Sequence, residues 1–186
     1  IPQLKNLKYV LLPLSYCSLF DRRFEDCDDW WYAINYKKYM DIDLHSDFSK
    51  YNFELSNLPV YSGRLTTVLF GGELPLCDSL GFGLGYTLAA RSATWKEDAL
   101  MTVERHTADD WSYFEYNAGY LRRIAELCKE KSINLIVMTL PASNLYYNEL
   151  DTAQLNKMYQ TVSTLQQEYE FQYRDYLRDA RFGEDD

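Results

Sequence analysis

A continuous apolar run, reached through a long amphipathic stretch, constrains this chain more than any other feature. Residues 133–140 (INLIVMTL) are apolar except at Asn134 and Thr139 and do not alternate, as in a buried strand. Residues 111–131 place Tyr113, Tyr116, Tyr120, Leu121, Ile124, Leu127 and Cys128 at helical spacing, with Ser112 or Asp110 available as a cap. A helix that passes through Ser132 directly into such a strand belongs to a parallel α/β sheet. Residues 7–20 (LKYVLLPLSYCSLF) and 133–147 (INLIVMTLPASNLYY) share a further pattern: each apolar run ends in Pro, followed by Ser and Tyr. Parallel sheets carry function at the carboxyl ends of their strands, so these two exits predict where a site lies.

The other elements follow by the same logic. Residues 8–14 (KYVLLPL) read as a buried strand that Pro13 ends, because proline cannot donate to a ladder. Residues 30–40 (WWYAINYKKYM) predict a helix covering the sheet, and residues 41–57 a polar, turn-rich stretch. Leu58, Tyr61, Leu65 and Leu69 are spaced for a helix over 58–70. Residues 71–85 hold five of the eight glycines and predict an irregular loop. A short helix is expected over 95–105. A longer one follows over 151–169, capped by Asp151, with Leu155, Met158, Val162, Leu165 and Tyr169 inward. Residues 171–176 (FQYRDY) alternate as a third strand. The helix–strand–helix–strand order predicts a single α/β domain over 1–186, a three-layer α/β/α sandwich with right-handed crossovers. Its core lies at 111–186 and an irregular helical insertion or cap at about 21–110.

Composition excludes several classes. With 47% hydrophobic residues the chain has too much apolar matter for intrinsic disorder. A net charge of −9 without a basic block repels phosphate backbones, which argues against a nucleic-acid partner. No stretch reaches the ~20 apolar residues that span a bilayer. The first residue is Ile1, just ahead of an expected core strand, which reads as a chain cut from something longer. Cys17, Cys27, Cys77 and Cys128 lack zinc-site spacing, and Cys128 falls on an apolar helix face. Seventeen tyrosines serve as core and groove wall, or as stacking surface for sugars and proteins.

Three stretches, LKYVLLPLSYCSLF, YLRRIAELCKEKSINLIVMTLPASNLYY and FQYRDYLRDARFGEDD, resemble the SGNH/GDSL-type hydrolase superfamily. The resemblance is to its bacterial cell-envelope branch, related to the D-alanyl-lipoteichoic acid biosynthesis protein. It covers under half the chain and concerns scaffold more than chemistry. It implies a mostly parallel, flavodoxin-like sheet and esterase or O-acyl-transfer activity on surface carbohydrate or polymer. It also implies a place in the bacterial cell envelope. The family's serine nucleophile follows its first strand and its Asp-x-x-His lies near the C-terminus; neither motif is matched here. His45 and His106 have Ile42 and Val103 three residues before them, where the family has Asp. The resemblance therefore implies an inactive chain with no catalytic residue assigned and no cofactor.

Several local clusters suit chemistry, and each has a plain structural role as its alternative. Asp78-Ser79-Leu80 echoes the family's Gly-Asp-Ser-Leu but lacks the glycine and a delivering strand, so it reads as a chance tripeptide. Asp41-x-Asp43-x-His45 has too few ligands for a calcium loop, and no metal is expected. Arg105 and His106, ahead of Thr107, suit a cleft that binds an anionic or acyl group; a helix-terminal histidine favoured by the dipole is the plainer alternative. Asn117 is an orienter or a surface residue. Ser15, Tyr16, Thr139, Ser143 and Tyr146 lie at the two strand exits, where they line a groove for a polar ligand or simply serve turns and caps. Substrate binding is thus assigned to Ser15, Tyr16, Arg105, His106, Thr139 and Ser143. The alternative function is a non-catalytic carbohydrate- or protein-binding α/β domain, and an open sheet edge offers a homodimer contact.

Overall fold

A computed structural model describes residues 6–22, 62, 65–67, 69–71 and 88–182 of the chain. The chain divides into two compact units, Ile1–Asp21 with Ala93–Asp186, and Arg22–Ser92. The first contains β1 (Tyr9–Pro13), α1 (Trp95–His106), α2 (Phe114–Glu130), β2 (Asn134–Thr139), α3 (Asn144–Tyr147), α4 (Thr152–Tyr169) and β3 (Gln172–Asp175). Its strands form a parallel sheet in the order β1-β2-β3, so this unit is α/β.

The central strand explains the packing. Leu135, Val137 and Thr139 of β2 are buried, and Val137 is 0% exposed. Parallel register puts Val10 and Leu12 beside them on one side and Tyr173 and Asp175 on the other. α2 and α4 pack on each other and on β2 and β3 respectively, and Met158, Val162 and Leu165 fill the space between. The opposite sheet face carries Tyr9, Leu11, Pro13, Ile136, Met138, Gln172 and Arg174. Here the sequence reading of β1 as a buried strand is corrected. Tyr9 is 59% and Leu11 63% exposed, because β1 is the outer strand of the described sheet and only its other face meets the core.

Both helices that feed strands end alike. Ser132 after α2 has φ 55° and Glu170 after α4 has φ 60°, the left-handed turn that lets a helix stop and a strand begin. Asp151 caps α4 as expected, accepting from Gln154 N–H at 2.7 Å. α2 differs from expectation in two ways. No side chain caps it; Asp110 accepts instead from Ser112 N–H, inside the preceding turn. Its buried stripe is Phe114, Ala118, Leu121, Ala125 and Cys128, while Tyr116 and Tyr120 are each 44% exposed. Small alanines let the helix approach the sheet closely, and the tyrosines, with polar tips, rotate outward.

In the second unit, positions 62, 65–67, 69 and 70 are helical and Gly71 ends the run at φ 78°, a conformation that favours glycine. Leu65 and Leu69, two of the residues whose spacing predicts this helix, are exposed. A 3-10 turn spans Leu88–Ala90. The expectations for residues 30–40, 41–57 and 72–85 lie outside the described residues, and with them Cys27, Asp41, Asp43, His45, Cys77 and Ser79. No described helix is long and apolar enough to cross a membrane.

Candidate functional site

The carboxyl ends of β1 and β2 both reach the end of α1. From the β1 exit, the buried Tyr16 hydroxyl pairs with Thr107 Oγ1 at 3.2 Å and accepts from Asp151 N–H at 3.2 Å. From the β2 exit, the Tyr146 hydroxyl pairs with His106 Nδ1 at 2.7 Å, with the two rings edge to face. Ser143 makes this possible: its hydroxyl accepts from Tyr146 N–H and caps α3, which aims Tyr146. Buried Gln154 then clamps the same turn, accepting from Ala108 N–H at 2.8 Å and donating to His106 O at 2.9 Å. The turn at residues 106–108 is thereby held from three elements, through its backbone by Gln154 and through the side chains of His106 and Thr107 by Tyr146 and Tyr16.

The other assigned residues sit apart from this pair. Ser15 is exposed, and its hydroxyl is shared with Ser18 Oγ at 2.8 Å and Cys17 Sγ at 3.3 Å. Ser18 Oγ also accepts from Ser15 N–H, so the turn is closed on itself. Arg105 turns back along α1 to donate to Thr102 Oγ1 at 3.0 Å. The Thr139 hydroxyl is buried; it donates to Asp175 and accepts from Tyr176 N–H. Asp175 is further held by Tyr159 OH at 2.9 Å and Leu177 N–H at 3.1 Å. Asn117 donates to the carbonyls of Leu19 and Asp21, which pins the β1 exit loop to α2.

Electrostatics here are set mainly by burial. Desolvation pushes the Cys17 thiol up to about 11, against the hydrogen bond from Ser15. It raises Tyr16 as well, and Tyr146 more strongly, with Cys17, Tyr16 and Asp21 adding charge repulsion. The phenols of the site are therefore neutral hydrogen-bonding groups across the physiological range. At the third strand, burial raises Tyr173 to about 12, and its hydroxyl is sealed without a partner among the described residues. The neighbouring Thr139 hydroxyl opposes that rise, yet it is already committed to Asp175 and Tyr176.

Two free, buried cysteines, Cys17 and Cys128, are present among the described residues, and no group of acidic, histidine and cysteine side chains there suits a metal. A cavity of about 320 Å3 lies at the opposite, amino end of β2 and β3, lined by Cys128, Lys129, Ser132, Asn134, Tyr169 and Glu170 among others. It holds the Lys129–Glu170 ion pair (3.2 Å) and is remote from the strand exits. The exits remain the better candidate, because convergent polar groups fix a ligand where volume alone does not.

Sequence reasoning named Tyr16, His106, Ser143 and Tyr146 but not their connections. Gln154 and Asp175 were missed. Asp175 could have been found as the last polar residue of the third strand, whereas Gln154 gave no signal beyond a polar residue beside the apolar stripe of α4. Comparison with protein-family models, with curated proteins and with solved structures gave no match to the chain.

Proposed function

We propose that this chain is an SGNH-hydrolase-like α/β domain of an esterase or O-acyl-transfer protein acting on carbohydrate or polymer at the bacterial cell surface. The sheet would belong to a three-layer, flavodoxin-like sandwich. One observation supports the reading most: a phenol from each of two parallel strand exits meets the His106–Thr107 turn, where such sheets bind ligands. Neutral phenols and an imidazole suit sugar hydroxyls and ester carbonyls, which ask for hydrogen bonds without net charge.

The same geometry favours a binding role for these residues over a hydrolytic one. A serine hydroxyl needs an imidazole to take its proton, but His106 Nδ1 faces Tyr146 and Ser15 faces Ser18 and Cys17. The non-catalytic carbohydrate-binding reading rests on that pairing.

Saturation-transfer NMR with O-acetylated glycan fragments of the bacterial cell wall and their de-esterified forms tests the proposal, alongside a p-nitrophenyl acetate assay. The expected result is transfer to the acetylated fragments, weakened in Tyr146→Phe, with no ester turnover. Absence of transfer from both fragment sets would remove the carbohydrate reading. Turnover abolished by His106→Ala would overturn the non-catalytic part.

A further inference from the structure

Among the described residues the side of β1 away from β2 is unpaired, with outward donors and acceptors at Tyr9 and Leu11 and an acceptor alone at Pro13. Asn134 N–H donates to Lys8 O at 2.9 Å and Leu14 N–H donates to Met138 O at 2.8 Å. These bonds set the phase of the strand. Main-chain groups of residues 8, 10, 12 and 14 turn toward β2, and those of Leu7, Tyr9, Leu11 and Pro13 turn away. Among the described residues nothing pairs with Tyr9 or Leu11 on that side, and their side chains are largely exposed. Edge strands are ordinarily guarded by lysine, by a bulge or by a covering element. Residues 9–14 (YVLLPL) contain no charge, although the whole chain carries −9.

We propose that the occupant of this edge is β1 of a second copy, paired antiparallel about a two-fold axis at Val10. A row of outward amides and carbonyls selects a strand over a helix, and the seam's single charge, Lys8, falls opposite Leu12 of the other copy, so no like charges meet within a strongly acidic protein. Pro13 selects the register. It lacks an N–H, so it belongs at the end of the ladder, where its carbonyl accepts from Leu7 N–H of the other copy. Tyr9 and Leu11 then face each other twice across the axis, exchanging both main-chain bonds. Their side chains share a sheet face, where aromatic–aliphatic cross-strand pairs are favourable. The product is a continuous six-stranded sheet in which β1 has neighbours on both sides. Closed two-fold contacts of this kind use one patch on both subunits and leave no edge for further growth at β1.

Sedimentation velocity over a concentration series tests this, with hydrogen exchange read at the Tyr9 and Leu11 amides. The wild type should reach twice its 22.0 kDa mass, with both amides protected in concentrated samples and exchanging freely in dilute ones. Leu11→Pro removes only the outward donor, and proline is tolerated on edge strands, so it should weaken the dimer about tenfold or more. Leu11→Lys provides a second variant that keeps the backbone amide while placing charge in the seam. A monomer at every concentration would overturn the proposal. So would a dimer that survives both variants, or one in which the Leu11 amide exchanges freely.

Discussion

The Gln154 side chain binds His106 and Ala108 together, donating to the carbonyl of the one and accepting from the amide of the other while itself 1% exposed. It ties α4 to the end of α1 and presents the His106 imidazole to Tyr146. Gln154→Leu would keep the volume and strand both backbone groups in the interior. Each unsatisfied buried group costs roughly 1–3 kcal/mol, so urea denaturation should register a loss of about 3 kcal/mol. Gln154→Glu is the sharper comparison. Only its protonated form can donate to His106 O, so its deficit against wild type should shrink as pH falls. A deficit independent of pH would mean that the clamp is packing and not hydrogen bonding.

Tyr173 should respond to mutation in the opposite direction. Its hydroxyl is buried without a partner among the described residues, so Tyr173→Phe should leave stability unchanged or raise it by up to about 1 kcal/mol at pH 7. The alkaline range adds a second readout. The group is neutral when folded and its pKa is raised to about 12, against about 10 for an unfolded tyrosine. Its titration leaves stability unaffected below pH ~10 and lowers it as pH climbs toward 12, because the unfolded chain releases the proton first. Cys17, raised to about 11 from about 8.5, adds a loss that begins near pH 8.5. Tyr173→Phe should therefore flatten the upper part of the stability–pH curve and Cys17→Ala the lower part. An unchanged curve in both variants would contradict the assignment to burial.

The difference between what the sequence disclosed and what it concealed is one of range. β2, α4 and the Asp151 cap were legible because each rests on contacts within a few residues: an unbroken apolar run, a 3.6-residue stripe, a side chain three positions from its amide. The phase of α2 was misread because Tyr116 and Tyr120 count as apolar in a pattern, yet their hydroxyls pair with each other at 2.8 Å on an exposed face. β1 looked buried because composition does not say which strand stands at an edge. The His106–Tyr146 and Tyr16–Asp151 contacts join residues 40 and 135 positions apart, and no local spacing encodes them.

Core and edge should separate cleanly under truncation. Val137 and Met158 are both 0% exposed between the sheet and its two helices. Met158→Ala should cost about 2–5 kcal/mol, including the cavity it leaves. Leu11→Ala, at a side chain 63% exposed, should cost under about 0.5 kcal/mol under conditions where the protein is monomeric. Thermal unfolding of the two variants side by side would reveal any exchange of these roles, which would mean that the helical layer covers the other sheet face.

The paired left-handed residues give the last expectation. Ser132 at φ 55° and Glu170 at φ 60° occupy a region that costs a side-chain-bearing residue about 1 kcal/mol relative to glycine. Ser132→Gly should therefore stabilise the fold by at most about 0.5 kcal/mol, after subtraction of the glycine's greater freedom when unfolded. Glu170→Gly removes the same strain but also the contact to Lys129, whose partners are 48% and 77% exposed. Exposed pairs contribute little, so a net gain is still expected, smaller than at Ser132. The Lys129 ammonium keeps its bond to the Glu168 carbonyl at 3.0 Å in either case, which preserves the link between the ends of α2 and α4. Urea midpoints at low and high salt separate the two contributions: the strain relief is indifferent to salt, and the lost ion pair is felt only when salt is low. Destabilisation by Ser132→Gly at both ionic strengths would show that the serine side chain, and not the turn, holds α2 to β2.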